Sequence, residues 1–227
     1  VREVRVDESG VKTVWCEEDE FTCTAHAVLL CTGTDSRTLG VPGEGNYIGN
    51  GISFCAICDG PACRDKDVVV LGGGNSAVEE AIYLAGIARS VTVAVRSYLK
   101  ADPIACEKLR SLGNVTVLEG FDVSEFYGDI RLRGVRLKEK GTDGERSLDC
   151  AQVFEYIGQI PATDCFRGLG VLNDAGYVEV DAMMQTKVPG IFGAGDCVVK
   201  KLRQVITACA DGAIAAQSAA HYVQSLK

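Results

Sequence analysis

The sequence predicts an α/β protein built on parallel strands, and three stretches carry that prediction. Asp67-Val68-Val69-Val70-Leu71 reads as a buried strand that runs into Gly72-Gly73-Gly74-Asn75-Ser76-Ala77, a glycine turn opening a helix. Ala27-Val28-Leu29-Leu30-Cys31 is apolar enough for a second buried strand, ending at Thr32-Gly33. Pro189 to Asp196 is a third, closing in a polar turn ahead of a long alanine-rich helix. With 227 residues and 47% apolar content, the chain can supply one large core or two modest ones.

Composition narrows the function. A net charge of -8 argues against nucleic acid or an anionic membrane as partner, since both need a basic face. No segment approaches the roughly 18 consecutive apolar residues of a membrane helix, and Val1-Arg2-Glu3-Val4-Arg5-Val6 lacks the shape of a signal peptide. The eleven cysteines are scattered without the spacing of a secreted disulfide framework. These features lead us to expect a cytoplasmic protein, and the opening in mid-strand without Met leads us to expect a truncated one.

In chain order, residues 1 to 30 should form short alternating strands joined at Glu8-Ser9-Gly10 and at Glu17-Glu18-Asp19-Glu20. Residues 34 to 54, rich in Gly, Pro and Asn, read as a connection between domains. From 66 to 97 the pattern is strand, helix, strand: Val68 to Leu71, Ser76 to Ala88 with Ala77, Ala81, Leu84, Ala85 and Ala88 on one face, then Val91 to Val95. A helix over Asp102 to Leu112 and a strand over Asn114 to Leu118 follow. Ile130 to Glu139 and Asp149 to Tyr156 read as further strands around the turn Gly141-Thr142-Asp143-Gly144, as small antiparallel additions. Gly176 to Val180 reads as another strand and Gln204 to Leu226 as the final helix. The chain thus leaves one domain, completes a second and returns to the first.

Two motifs bear chemistry. Cys55-Ala56-Ile57-Cys58-Asp59-Gly60 places two thiols two residues apart, able to alternate between disulfide and dithiol, with Asp59 at hand to move a proton. No second Cys-x-x-Cys exists and only His26 and His221 are available, so the sequence indicates no zinc site. In the glycine turn one glycine makes the tight bend, another admits a pyrophosphate, and small Ala77 lets helix and strand pack closely. Amides at the helix start then hold the phosphates. Arg96 and Lys100, after the second strand, suit a 2'-phosphate and favour NADPH over NADH.

Taken together, Cys-Ala-Ile-Cys-Asp-Gly, Gly-Gly-Gly-Asn-Ser-Ala-Val-Glu-Glu-Ala, Tyr156-Ile157-Gly158-Gln159-Ile160-Pro161-Ala162-Thr163, and Gly-Ala-Gly-Asp with Arg203-Gln204-Val205 resemble bacterial-type, low-molecular-weight thioredoxin reductase. The likeness runs the whole chain. It extends, less specifically, to the flavoprotein of alkyl hydroperoxide reductase, an NADH-using reductase of a peroxiredoxin system. The resemblance implies two Rossmann-like, three-layer domains: residues 1–37 with 163–227 binding FAD, and 38–162 binding NAD(P)H and carrying the Cys-x-x-Cys. It implies a homodimer that reduces thioredoxin or a thioredoxin-like protein.

Residue by residue, the resemblance makes Cys55 the thiol that attacks the protein disulfide, Cys58 the thiol facing the flavin, and Asp59 the acid. Gly72, Gly74, Asn75, Ser76 and Ala77 would meet the NADPH pyrophosphate, with Arg96 and Lys100 at the 2'-phosphate. Asp196, with Gly195, would hold the ribityl chain of FAD, and Arg203, Gln204 and Val205 would line the flavin. Thr32, Gly33, Ile157 and Gly158 complete the implied cofactor set. Three departures stand out: Val95-Arg96-Ser97 replaces the family's His-Arg-Arg, Ile57 replaces a Thr, and the first βαβ unit with its FAD-binding G-x-G-x-x-G is absent from this stretch. The FAD domain is therefore expected to be incomplete, in a parent longer by roughly 80 to 100 residues. The readings that stand beside a thioredoxin reductase are the NADH-using reductase of a peroxiredoxin system and a non-catalytic NADP-binding fragment that passes no electrons without FAD. The resemblance also implies a large rotation of the nicotinamide domain, with hinges near residues 36 to 40 and 161 to 165.

Overall fold

A computed structural model describes residues 1–16 and 21–226. The turn expected at Glu17 to Glu20 lies outside the described residues. The chain divides into two compact units, one made of Val1–Asp35 and Gln159–Lys227, the other of Ser36–Gly158.

The discontinuous unit opens with β1 (Glu3–Val6), β2 (Lys12–Trp15) and β3 (Thr22–Ala25), an antiparallel sheet in which Val4 faces Val14 and Val14 faces Cys23. β4 (Val28–Leu30) follows, and β5 (Thr34–Ser36) carries the chain across to the second unit.

The continuous unit begins with the short helix α1 (Glu44–Tyr47), then β6 (Ile52–Ser53) and the single turn α2 (Ala56–Asp59). β7 (Asp67–Leu71), α3 (Asn75–Ala85) and β8 (Ser90–Val95) form the expected strand–helix–strand, and α4 (Pro103–Ser111) and β9 (Val115–Glu119) extend it. Next come β10 (Phe121–Gly128), β11 (Leu132–Glu139), β12 (Glu145–Asp149) and β13 (Gln152–Glu155). The five-stranded sheet runs in the order β6-β13-β7-β8-β9, all parallel, as expected of a sheet buried on both faces. β10, β11 and β12 make a separate antiparallel sheet.

Two differences from the sequence pattern are instructive. The stretch Asp149 to Tyr156 is not one strand. It breaks at Cys150-Ala151, so that β12 ends on the antiparallel sheet while β13 enters the middle of the parallel one. There Val153 and Phe154 are fully buried between β6 and β7, which explains the run of apolar residues without alternation. β10 is a strand that the sequence pattern does not reveal, because charged and polar residues interrupt it.

Back in the first unit, β14 (Gln159–Pro161) pairs with β5, β15 (Ile191–Gly193) pairs in parallel with β4, and α5 (Val205–Ser225) closes the chain. The strand expected over Gly176 to Val180 is reduced to isolated bridges of Val178 with Leu172 and Val198. Turns cut it on both sides: Asn173 Oδ1 accepts from the amides of Ala175 and Tyr177, and Asp181 Oδ1 from those of Met183 and Gln185.

Each unit has its own cores. In the continuous unit, Val68, Val70, Leu84, Val93, Leu109 and Phe154 pack on the α3/α4 side of the sheet, and Ile52, Val69, Val135, Leu137 and Val153 form a cluster joining the two sheets. In the discontinuous unit, Val4, Leu30, Val178 and Ile191 pack with Phe166, and Phe192 packs with Ala215 and Ala219 of α5. The two ends of the continuous unit meet: the Arg37 amide donates to the Gly158 carbonyl at 3.0 Å.

Candidate active site

Cys55 and Cys58 are joined in a disulfide at α2, with their Cα atoms 5.3 Å apart. Cys55 is the N-cap, and its Sγ accepts from the Cys58 amide at 3.2 Å. Cys58 is exposed, Cys55 half-buried, and Ala56 between them is fully buried. Two hydroxyls brace the turn. Ser53 Oγ, at the end of β6, accepts from the Cys55 amide at 3.1 Å and donates to Asp59 Oδ2 at 2.5 Å. Tyr156 Oη accepts from the Ala56 amide at 2.6 Å. Asp59 is thereby fixed in the disulfide turn, one residue from Cys58, with its carboxylate otherwise open to solvent. Both cysteines and Asp59 are legible in the sequence but neither hydroxyl is, because Ser53 and Tyr156 reach the turn only through the order of strands β6 and β13.

Cys63, on the following 3₁₀ turn, is buried, and its thiol rests against the Asp59 carbonyl and Gln152 Oε1. Burial pushes this thiol above its ordinary value, with Asp59 adding to the shift and Lys66 opposing it. It is a thiol packed as a small apolar group, not a third thiolate.

The glycine turn lies in the same unit. Gly72 has φ +132°, and a Cβ there would collide with the Tyr156 carbonyl. A Cβ at Gly73 would strike Val95, so this residue, which the sequence pattern does not place in the site, is held to glycine by packing against β8. Gly74, by contrast, faces open space, where a ligand's phosphate could approach its backbone. Ala77 is fully buried, its Cβ 3.2 Å from where a Gly72 Cβ would stand, so a larger side chain here would press on the glycine turn. No side chain caps α3, so its first amides are free for an anion. Gly74, Asn75 and Ser76 are exposed, but Asn75 Oδ1 is engaged by the Asp102 amide at 2.8 Å, so that side chain orients the α4 entry. Arg96 and Lys100 are both exposed, and the Lys100 ammonium lies 5.6 Å from the centroid of the Tyr98 ring. Ile157 is half-buried at the end of the strand, and Gly158 is exposed.

The discontinuous unit brings together the remaining residues singled out in the sequence. Asp196 sits on the 3₁₀ turn after β15, its Oδ1 buried without a partner among the described residues. A carboxylate oxygen in that condition calls for a hydrogen-bond donor. Its surroundings are tied together by polar contacts. Arg203 Nε donates to the Asp196 carbonyl at 3.1 Å and stacks on Tyr177, and the Gly195 amide donates to Asp211, which also holds Lys200. Gln204 caps α5 in a reciprocal capping box with Thr207. Val205 and Ile206, 80% and 75% exposed, present an apolar step at that helix start. Thr32 and Gly33 follow β4, whose parallel partner β15 leads to Asp196. An orphaned carboxylate oxygen beside an uncovered apolar step fits a polyol chain attached to a flat ring, which is the chemistry of a flavin.

Known proteins agree with these chemical features. A model of the pyridine nucleotide-disulphide oxidoreductase family matches residues 2–212. The thioredoxin reductase of Bacillus subtilis is 41% identical over the whole of this chain, which spans 72% of that protein. A solved thioredoxin reductase from Streptococcus pyogenes superposes with a TM-score of 0.89 at 38% identity, covering 99% of this chain and 73% of that one. One component of alkyl hydroperoxide reductase from Staphylococcus aureus is 41% identical over 91% of this chain, but over only 41% of its own length. With a redox-capable cysteine pair, an open glycine turn and relatives at this level of identity, the chain belongs to the pyridine nucleotide-disulphide oxidoreductases, enzymes of flavin and nicotinamide nucleotide, and within them to the thioredoxin reductases.

Proposed function

We propose that the protein is an NADPH-dependent thioredoxin-disulfide reductase using FAD, with Cys55 and Cys58 as its electron exit, working as a cytoplasmic homodimer. The observation that carries this reading is the Cys55–Cys58 disulfide braced on a turn that also fixes Asp59, in the same unit as an uncapped glycine turn. On this reading, Ser36–Gly158 binds the nicotinamide nucleotide, through the Gly74 backbone, the first amides of α3, Arg96 and Lys100. The other unit holds FAD, with Asp196 Oδ1 accepting from a ribityl hydroxyl and Arg203 to Val205 against the ring. Thr32, Gly33, Ile157 and Gly158 belong to the same cofactor set.

A bound flavin supplies the passage of an electron pair from the nicotinamide hydride to a disulfide. Cys58, the more exposed of the two cysteines, receives that pair as the Cys55–Cys58 bond breaks, and Asp59 holds the proton that converts the second sulfur to a thiol. Cys55 gives its proton back to Asp59 and, as the thiolate, attacks the partner's disulfide, forming a mixed disulfide and releasing one partner thiolate, which takes up that proton. Cys58 attacks Cys55 in turn, closing the intramolecular bond and freeing the partner with its two electrons as a dithiol, its second thiolate taking a proton from water. Ser53 keeps the Asp59 carboxyl in this turn throughout.

The test is a thiol count. In flavin-loaded protein, excess NADPH should expose two additional alkylatable thiols at 55 and 58, and Cys58→Ser should abolish thioredoxin reduction while leaving nucleotide binding intact. Retained turnover in that variant would refute the assignment. A second reading, an NADH-linked reductase of a peroxiredoxin system, draws on the match to the alkyl hydroperoxide reductase component and on the single Arg96 at the end of β8.

A further inference from the structure

Tyr156 joins the two chemical turns of the continuous unit, and nothing in the cysteine or glycine motifs assigns it a part. Its backbone belongs to the glycine turn. The Tyr156 amide donates to the Leu71 carbonyl at 2.8 Å, and the Tyr156 carbonyl fills the space that a Cβ on Gly72 would need. Its ring packs against the core cluster on the α3 side of the sheet. Its hydroxyl accepts from Ala56, the residue between Cys55 and Ile57, whose side chain is wholly buried; without Oη that amide would face no water to replace it. Among the described residues the Tyr156 O–H donates to no acceptor, so one donor is left over at the Ala56 amide, the residue that follows Cys55.

That donor stays protonated. Burial, first, holds the phenol well above its ordinary value, and the charges of Glu80 and Asp59 push it the same way against the pull of the Ala56 amide. Opening the Cys55–Cys58 bond with two electrons and one proton leaves one thiol and one thiolate, a new anion at the start of α2. A neutral O–H without an acceptor, held at the amide of the residue next to Cys55, is the group suited to meet it.

We propose that Tyr156 is a positioning residue of the redox turn, holding it to the glycine turn through Ala56 and stabilising the reduced cysteine pair with its spare hydroxyl proton. The inference deepens the reductase reading and rests on it. Its test needs neither nucleotide nor flavin, so the two can fail separately.

The protein is equilibrated with buffers of reduced and oxidised dithiothreitol, then quenched by alkylation, and the fraction of open Cys55–Cys58 is read by mass spectrometry. Tyr156→Phe, which keeps the ring and removes only the oxygen, should shift the equilibrium toward the disulfide by about 3- to 10-fold. It should also move the alkylation profile of the more reactive cysteine to higher pH and speed exchange of the Ala56 amide at least tenfold. Site-specific 3,5-difluorotyrosine, a stronger donor of the same shape, should shift the equilibrium the opposite way, and it keeps the test alive should the Phe variant fold poorly. An equilibrium and alkylation profile that change less than twofold in both variants would overturn the proposal. Failure of NADPH to open the disulfide in the flavin-loaded wild type would sink the reductase reading and leave this result standing.

Discussion

Among single residues, Glu155 is a carboxylate that burial makes costly. It ends β13 at 3% exposure, with both carboxylate oxygens buried and unpartnered among the described residues. Its neighbour Glu44 is equally buried but satisfied, accepting from the amides of Leu39 and Gly40 at 2.6 Å each. Burial, reinforced by the charge of Glu44, pushes Glu155 from 4.5 up to about 8. The folded protein therefore keeps a proton that the unfolded chain releases, so stability falls as the pH rises from about 4.5 to about 8 and levels off above. Glu155→Gln should remove that slope. Thermal melts should show the variant more stable than wild type by over ~4 °C at pH 8, with little difference at pH 4.5; equal melting temperatures at pH 8 would contradict the burial argument.

Elements show why some of the structure is legible in the sequence and some is not. β7, α3, β8 and α4 are readable because each keeps one period over its length and ends in glycine, proline or polar residues. Asp149 to Tyr156 passes for one strand because apolar continuity does not mark a change of sheet, and Gly176 to Val180 because local Asn and Asp turns outcompete its β-propensity. The cysteine pair, Asp59 and the glycine turn are legible because their chemistry lies in consecutive residues. Ser53 and Tyr156 are not, since only the neighbouring of β6, β13 and β7 brings them to the turns. The end of β8 also carries the choice of nucleotide. Arg96 is exposed there, so Arg96→Ala should raise the KM for NADPH about tenfold while leaving that for NADH within twofold, measured by steady-state rates with each. A parallel loss with both would remove Arg96 from the 2'-phosphate.

At the scale of the whole molecule, the core clusters respect the division of the chain. Every buried residue of the α3-side cluster and of the cluster joining the two sheets lies within residues 36–158. A protein consisting of Ser36–Gly158 alone should therefore melt cooperatively by circular dichroism and form the Cys55–Cys58 bond in air. A broad, non-cooperative transition would show that it borrows stability from the remainder. Because the Arg37 amide and the Gly158 carbonyl already touch, the beginning and finish of that segment are a single hydrogen bond apart. A piece whose extremities coincide behaves as a portable cassette: it can be spliced into a surface loop of an unrelated host, or ligated head to tail into a ring, without stretching either partner.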